Sequence, residues 1–357
     1  MAYTTINKGS SYMDTSIWSG NGSTSDRNIT SGVNGGDLVW TKRRNNTYPH
    51  ILFDSVRTFL GTKGISSQDT SAEGTVASEG NGFIGGTGDS FITLKEGTGD
   101  IAYTNATGGD YVAWNWKANG AGSANTDGDI NSTVSVNTTA GFSIVKYTGN
   151  ATADQSIGHG LGVTPKMIII KNLDATASWM IYHHSLGYNS GTIPRFLQLD
   201  NTNAQNNGGT NDFPAPPTSS VFKVGSYSTM NGSGNDIIAY CFEEVAGYSK
   251  FGSYTGNSNA DGTFVYTGFK PSWVMLKRTD STSNWTVYDN KRLGYNVDNN
   301  GILANTSDAE YTDDRIDLLS NGFKLRANHA EVNTGTYIYM AFGQTLVGTN
   351  NIPGNAR

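Results

Sequence analysis

Apolar positions along the chain fall in short runs of four to eight residues. Gly, Asn, Asp, Ser and Thr separate them. DLVWTK, HILFD, FSIVKY, MIIIK, WMIYH, DIIAYCF, WVMLK, WTVYD and TYIYMAF are such runs, rich in β-branched and aromatic residues. Runs of this length and composition predict strands, and no segment holds a helical period over ten or more residues. The breaks are chemically specific. Thr-Gly-Asn at Thr255, Ala-Asp-Gly at Ala260 and Ser-Asn-Gly at Ser320 supply residues that tolerate positive φ. The expected fold is all-β, with single helical turns at most, for example near Asp54 to Thr58 or Asp313 to Leu318.

The pattern repeats three times. WSGNGSTSDRNITSGVNGGDLVWTK starts at Trp18, YTGNATADQSIGHGLGVTPKMIIIK at Tyr147 and YTGNSNADGTFVYTGFKPSWVMLK at Tyr254. Each opens on an aromatic and a (T/S)GN turn and closes on an apolar strand ending in Lys42, Lys171 or Lys277. A polar turn and a second strand follow, ending at Phe53-Asp54, Tyr182-His183 and Tyr288-Asp289. NGFIGG from Asn81, SVFKVG from Ser220 and NGFKLR from Asn321 align as a further strand. GGDYVAWNWK, GNDIIAYCFE and TGTYIYMAFG align as a closing strand. In the third copy Tyr337, Tyr339 and Ala341 share one face of that strand, and Ile338, Met340 and Phe342 the other. Both faces are apolar, so the strand is expected to be covered by a facing sheet and by a neighbouring unit. Six or seven short strands per copy imply three tandem, related antiparallel β-sandwich repeats, jelly-roll-like in size. The expected division is 1–118 for the first repeat, 119–140 for a connector with one short strand at Thr133 to Val136, 141–246 for the second repeat and 247–357 for the third.

Composition narrows the function. Only 15% of the 357 residues are charged, while aromatics reach 11%, with 18 Tyr and 7 Trp. Disordered polyelectrolytes and helical bundles do not look like this. No apolar run is long enough to span a bilayer as a helix, so no membrane insertion is expected. Net charge is −6, without the basic footprint of a nucleic-acid binder. Lys42, Arg43 and Arg44, the densest basic group, read as a solvated strand end. The single Cys241 sits among apolar neighbours and excludes an internal disulfide framework. The first residues carry no basic segment followed by an apolar core, so no secretory signal is expected.

Candidate chemistry is sparse. There is no nucleophile elbow, P-loop, dinucleotide fingerprint or zincin motif, so no catalytic residue, metal ligand or cofactor is assigned. His183 and His184 point to opposite faces of a strand, which disfavours a shared metal. NTDGD at Asn125 to Asp129 is a fragment of a calcium loop without its distal Glu. Asp313, Asp314 and Asp317 form an acidic group with no partner spacing that singles out a glycosidase pair. Trp179 and Trp285 recur at one repeat position, with His50 one residue out of step. Trp114, Tyr240 and Met340 recur at another, and recurrence favours core packing. Tyr188, Tyr227, Tyr295 and Tyr311 lie in polar loops and are the candidate ligand-binding residues, suited to stacking on sugar rings or to a protein interface.

MAYTTINKGSSYMDTSIWSGNGST, DLVWTKRRNNTYPHILFDSVR, DYVAWNWKANG, GFSIVKYTGN and HGLGVTPKMIIIKN together make nearly the whole chain resemble a family of virion-associated proteins of marine bacteriophages, including those of cyanobacteria. One departure is Gly35-Gly36, where an apolar-Pro step is usual before the DLVW strand. The resemblance implies a non-enzymatic virion structural protein located in the phage particle, a tail-fibre-like component that presents a host-contact surface. Its expected partners are other virion proteins, further copies of itself with a trimer favoured, and a host surface glycan. A capsid decoration or head fibre is the alternative placement, and a polysaccharide depolymerase the enzymatic alternative.

Overall fold

The computed structural model describes residues 4–23, 25–59, 63–74, 84–88, 90–94, 101–293, 296 and 299–344. It is nearly all β. The first segment holds β1 (Met13–Ser19), β2 (Arg27–Thr30), β3 (Leu38–Arg43), β4 (Ile51–Asp54), β5 (Ile84–Gly88), β6 (Phe91–Leu94) and β7 (Asp110–Trp116). Next come β8 (Ser123–Asn125) and β9 (Ser132–Asn137). The second segment holds β10 (Phe142–Thr148), β11 (Gln155–Gly158), β12 (Met167–Asn172), β13 (Met180–His183), β14 (Phe196–Gln198), β15 (Val221–Val224) and β16 (Asp236–Phe242). The third holds β17 (Ser249–Thr255), β18 (Phe264–Tyr266), β19 (Lys270–Arg278), β20 (Trp285–Asp289), β21 (Ile302–Leu303), β22 (Ile316–Leu319), β23 (Gly322–Leu325) and β24 (Thr336–Gln344). Among the described residues helix is limited to short turns such as Ser228–Asn231, and none lies at Asp54 to Thr58 or Asp313 to Leu318, where β22 begins instead. The predicted strand at Asn81 is met by β5 from Ile84 on; Asn81 to Phe83 lie outside the described residues.

Each segment places its strands in one order. The larger sheets read β1-β7-β3-β4, then β10-β16-β12-β13-β14, then β17-β24-β19-β20-β21. The smaller sheets read β2-β6-β5, β11-β15 and β18-β23-β22. The pairing within these sheets is antiparallel throughout. The stretch expected as a connector carries two strands rather than one, and β9 and β8 extend the edge of the second large sheet beside β10.

Alternation of side chains explains where the cores sit. Tyr337, Tyr339 and Ala341 of β24 pack with Val265, Phe323 and Leu325 of the small sheet, closing a sandwich-like layer pair within the third segment. Matching layer pairs form in the second and first segments. The opposite faces of all three large sheets meet in one shared core. There the rings of Trp116, Phe242 and Phe342 form a triangle with centroids 6.5, 6.0 and 5.9 Å apart. Two residues back along the same strands, Trp114, Tyr240 and Met340 make the next layer, then Val112, Ile238 and Ile338. Ile6, buried to 1% exposure, joins this core, and the Gly9 amide donates to the Gln344 side chain, so the N-terminal stretch closes against the end of the third segment. Apolarity on both faces of the closing strands is therefore explained by an own sandwich on one side and the shared core on the other.

The turns of the repeated motif are held by one device. Trp18, Tyr147 and Tyr254, the opening aromatics, donate to the carbonyls of Thr104, Met230 and Val332. The next residues, Asn105, Asn231 and Asn333, are buried and accept from the backbone N–H of Asn21, Asn150 and Asn257 in the (T/S)GN turns. A buried amide that satisfies both donor and acceptor sites pins a turn no ladder holds.

Candidate interaction surface

The recurring polar residues lie at the junctions between segments. The three junctions, 1 with 2, 2 with 3, and 3 with 1, repeat the same contacts and close a ring. Lys171 Nζ donates to Thr70 of the preceding segment and to Ala177 of its own turn, at 2.9 and 2.7 Å. Lys277 does the same to Thr202 and Ser283, and Lys42 to Ser307, Asn46 and Arg43. Lys42 is thus a buried donor rather than a solvated strand end, and burial lowers its pKa to about 7 and those of Lys171 and Lys277 to about 8. A neutral amine keeps two N–H donors, enough for the two carbonyls at Lys171 and at Lys277, whereas the three carbonyls at Lys42 need the ammonium form.

Eight residues after each lysine stands a ring that repeats the crossing. Trp179 Nε1 donates to Ser66 O and Trp285 Nε1 to Gln198 O. His50 accepts from Trp40 Nε1 at Nδ1, so its Nε2–H donates to Leu303 O at 3.0 Å. His50 is therefore in step with the two tryptophans, not one residue off. The accepting strips keep one spacing: Ser66, Thr70, Glu73, then Gln198, Thr202, Gln205, then Leu303, Ser307, Glu310. The backbone N–H of Glu73, Gln205 and Glu310 donates to Leu173, Thr279 and Arg44, each two residues past a lysine.

A second network varies its chemistry as a set. At the first junction Asp54 binds Arg57 at 2.6 Å and accepts from Tyr240 OH at 2.7 Å, and Glu73 pairs with Arg57. At the third, Asp289 binds Arg292 and accepts from Trp114 Nε1, and Glu310 pairs with Arg292. Burial opposes ionisation of Asp289, but Arg292 and the Trp114 bond outweigh it and hold its carboxyl below the usual range. At the second junction the corresponding residues are His183, Leu186, Gln205 and Met340. Met340 has no proton to give, so the second segment presents a donor: His183 Nδ1 accepts from Ser185 N–H, and Nε2–H reaches Tyr339 O. Without a carboxylate no arginine is needed, and the position three residues on is the buried Leu186. Replacing His183 with Asp is expected to cost about 2–3 kcal/mol at neutral pH, because the carboxylate would face a carbonyl without a cation. Urea unfolding tests this; adding Leu186→Arg should recover part of the loss, and a strictly additive double variant would show the coupling is absent.

The rings of His183 and His184 do not point to opposite faces: His184 opens a 3-10 turn and the two rings stack with centroids 5.1 Å apart, His183 serving the junction while His184 Nε2 lies 3.0 Å from Phe251 O. Burial pushes His183 down to about 3, with His184 adding to the fall, and lowers His50 well below its ordinary value. The unfolded histidine titrates near 6.5, so below that pH only the unfolded chain takes the proton. Stability is intact above about pH 6.5 and falls as pH drops towards about 3. The urea midpoint should therefore be lower at pH 5 than at pH 7. The difference should shrink in His183→Gln, whose amide donates without titrating; an equal difference in both proteins would refute the assignment.

The remaining candidates disperse. In the NTDGD turn Asn125 and Asp127 bind each other, and Asp129 is taken up by Ser156. Asp313 pairs with Arg315 and Asp317 with Arg326. Among the described residues no group of three or more His, Cys, Asp or Glu is placed to hold a metal ion. Cys241 is fully buried. Tyr188 and Tyr227 are exposed, on two different loops of the second segment. Tyr311 is not a free loop aromatic: its hydroxyl bonds Tyr288 OH at 2.8 Å and Arg315 lies over its ring at 4.2 Å. Tyr295 lies outside the described residues. The four tyrosines are therefore not seen to form one site.

A pair of outward aromatics among the described residues lies on a strand rather than in a loop. On β18 Val265 is buried while Phe264 and Tyr266 are 43% and 59% exposed. Comparing the copies would have found it, since the matching strands read RNIT and QSIG, with polar or small residues at both outward positions.

No curated protein and no solved structure matches the chain. The family described as Domain of unknown function (DUF7483) matches residues 8–345, and on that span the chain belongs to it.

Proposed function

We propose that this is a non-enzymatic structural protein of a bacteriophage particle, a tail-fibre-like component that presents a host-contact surface. The observation that carries the reading is how the recurring ionisable groups are used. Asp54, Arg57, Glu73, His183, Asp289, Arg292 and Glu310 are bound into junctions, and none stands free at an opening. Catalysis needs groups whose protons and lone pairs can reach a substrate. Here they join segments instead, as suits a rigid scaffold. The matching strand orders support the finer architecture in the same reading: three tandem β-sandwich repeats of jelly-roll-like size. A threefold arrangement that a fibre usually draws from three chains is then supplied by one. The identification with a virion rests on the resemblance of the quoted motifs to phage proteins.

Labelling purified particles with an antibody to this chain, followed by electron microscopy, tests the reading. Label at the tail is the expected result, and label at the head would reassign it as a capsid decoration. Particles without label, from a host culture that expresses the protein, would reject both.

A further inference from the structure

The three small sheets allow one position to be compared three times within one molecule. Each has an edge strand, β2, β11 or β18, whose central residue, Ile29, Ile157 or Val265, is buried. The residues on either side direct their backbone groups away from the sheet. In β18 this follows from its neighbours: Thr263 O accepts from Leu325 and Thr267 N–H donates to Asn321, so Phe264 and Tyr266 face the open edge.

In the second segment that edge is covered by the chain itself. Ile130 N–H donates to Ser156 O, Asp129 accepts from Ser156 N–H, and Ser132 Oγ donates to Gly158 O. A Cβ at Gly158 would stand 1.7 Å from Asn125 Oδ1, so the covering segment also occupies the outward position there. In the first segment Ser16 Oγ donates to Thr30 O. The residue matching Ser16 in the third segment is Gly252, which has no hydroxyl, and Tyr266 has replaced the glycine. The cover cannot be copied either. The stretch before β10 is long enough to lie along β11, but only Glu243 to Tyr248 separate β16 from β17. Among the described residues nothing covers β18. An open, aromatic edge is what soluble proteins ordinarily avoid.

We propose that the edge of β18 pairs with the same edge of a second copy of this chain. The strand is self-complementary about Val265. In an antiparallel pair related by a twofold, Phe264 of each copy stands opposite Tyr266 of the other. Both residues direct N–H and C=O outward, so the pairing forms four backbone hydrogen bonds. It also sets each phenyl ring beside a partner tyrosine on the same face, a favourable cross-strand combination. The charges beside it do not oppose contact, because Lys324 pairs with Asp261 and Arg326 with Asp317 within each copy. Three residues per strand make a small interface, so the dimer is weak and depends on concentration. The interface is isologous and closes after two copies.

Sedimentation of the full chain from about 1 µM to about 1 mM should show mass rising from 38.1 kDa towards twice that value. The Phe264→Lys, Tyr266→Lys variant should remain at single-chain mass with an unchanged circular dichroism spectrum, since both side chains already face solvent. Tyr188→Lys, Tyr227→Lys should dimerise like the parent. Register is read by mixing a Phe264→Cys protein with a Tyr266→Cys protein under mild oxidation. The mixture should give a cross-linked pair more readily than either protein alone, and the buried Cys241 contributes no background. A single-chain mass at every concentration, a dimer that survives the double lysine variant, or a trimer would overturn the proposal.

Discussion

Truncating Trp116 to Ala is expected to lower the free energy of unfolding by about 3–5 kcal/mol, among the largest effects any single substitution in this chain produces. Trp116 is 2% exposed and contacts Phe242, Phe342 and Trp273, rings from both other segments. Its removal deletes buried apolar area and leaves a hole beside an existing void of about 10 Å³ lined by Leu38, Leu52 and Met340. The neighbours are themselves large rings fixed by sheets, so little collapse can refill it. Because three sheets share this core, the loss should be felt by the whole chain at once, read as a common fall in midpoint by fluorescence and circular dichroism. A variant that loses less than about 1 kcal/mol would show that the segments stand independently.

Replacing Asp54 with Ala is expected to cost about 3–5 kcal/mol, for an electrostatic reason. The carboxylate is fully buried and is shared by Arg57 of its own segment and Tyr240 of the next. Without it the guanidinium keeps Glu73 but loses its closest counter-charge in a dry site, and the phenol loses its acceptor. Asp54→Asn keeps the shape and one acceptor, so it should cost less. The double variant Asp54→Ala, Arg57→Met should recover much of the loss, because an apolar pair replaces an uncompensated charge. If Asp54→Ala and the double variant unfold at the same urea concentration, the ion pair is not what holds this junction.

The repeat, the strand runs and the two-faced closing strand could be read from residues alone, because alternation and turn chemistry are local. The runs WVMLK, WTVYD and TYIYMAF fall within β19, β20 and β24. The partners of the repeated polar residues could not be read. Lys42 looked like part of a basic surface group because its acceptors, Asn46 and Ser307, come from a turn and from the far end of the chain. Tyr311 looked like a free aromatic because Tyr288 and Arg315, which occupy it, lie on separate elements. The exposure of Phe264 and Tyr266 is not legible in the residues of that strand, because a strand with aromatic residues predicts burial until its neighbours are known.

By itself, then, the sequence determined three similar β units, their turns and which strand faces are apolar, since period and spacing encode these directly. Only the tertiary structure decided that the units close a ring and that Asp54, His183 and Asp289 do one job with different chemistry. The reason is that a side chain's role depends on the donor or acceptor opposite it. Here that partner, Tyr240, Tyr339 or Trp114, always belongs to another segment.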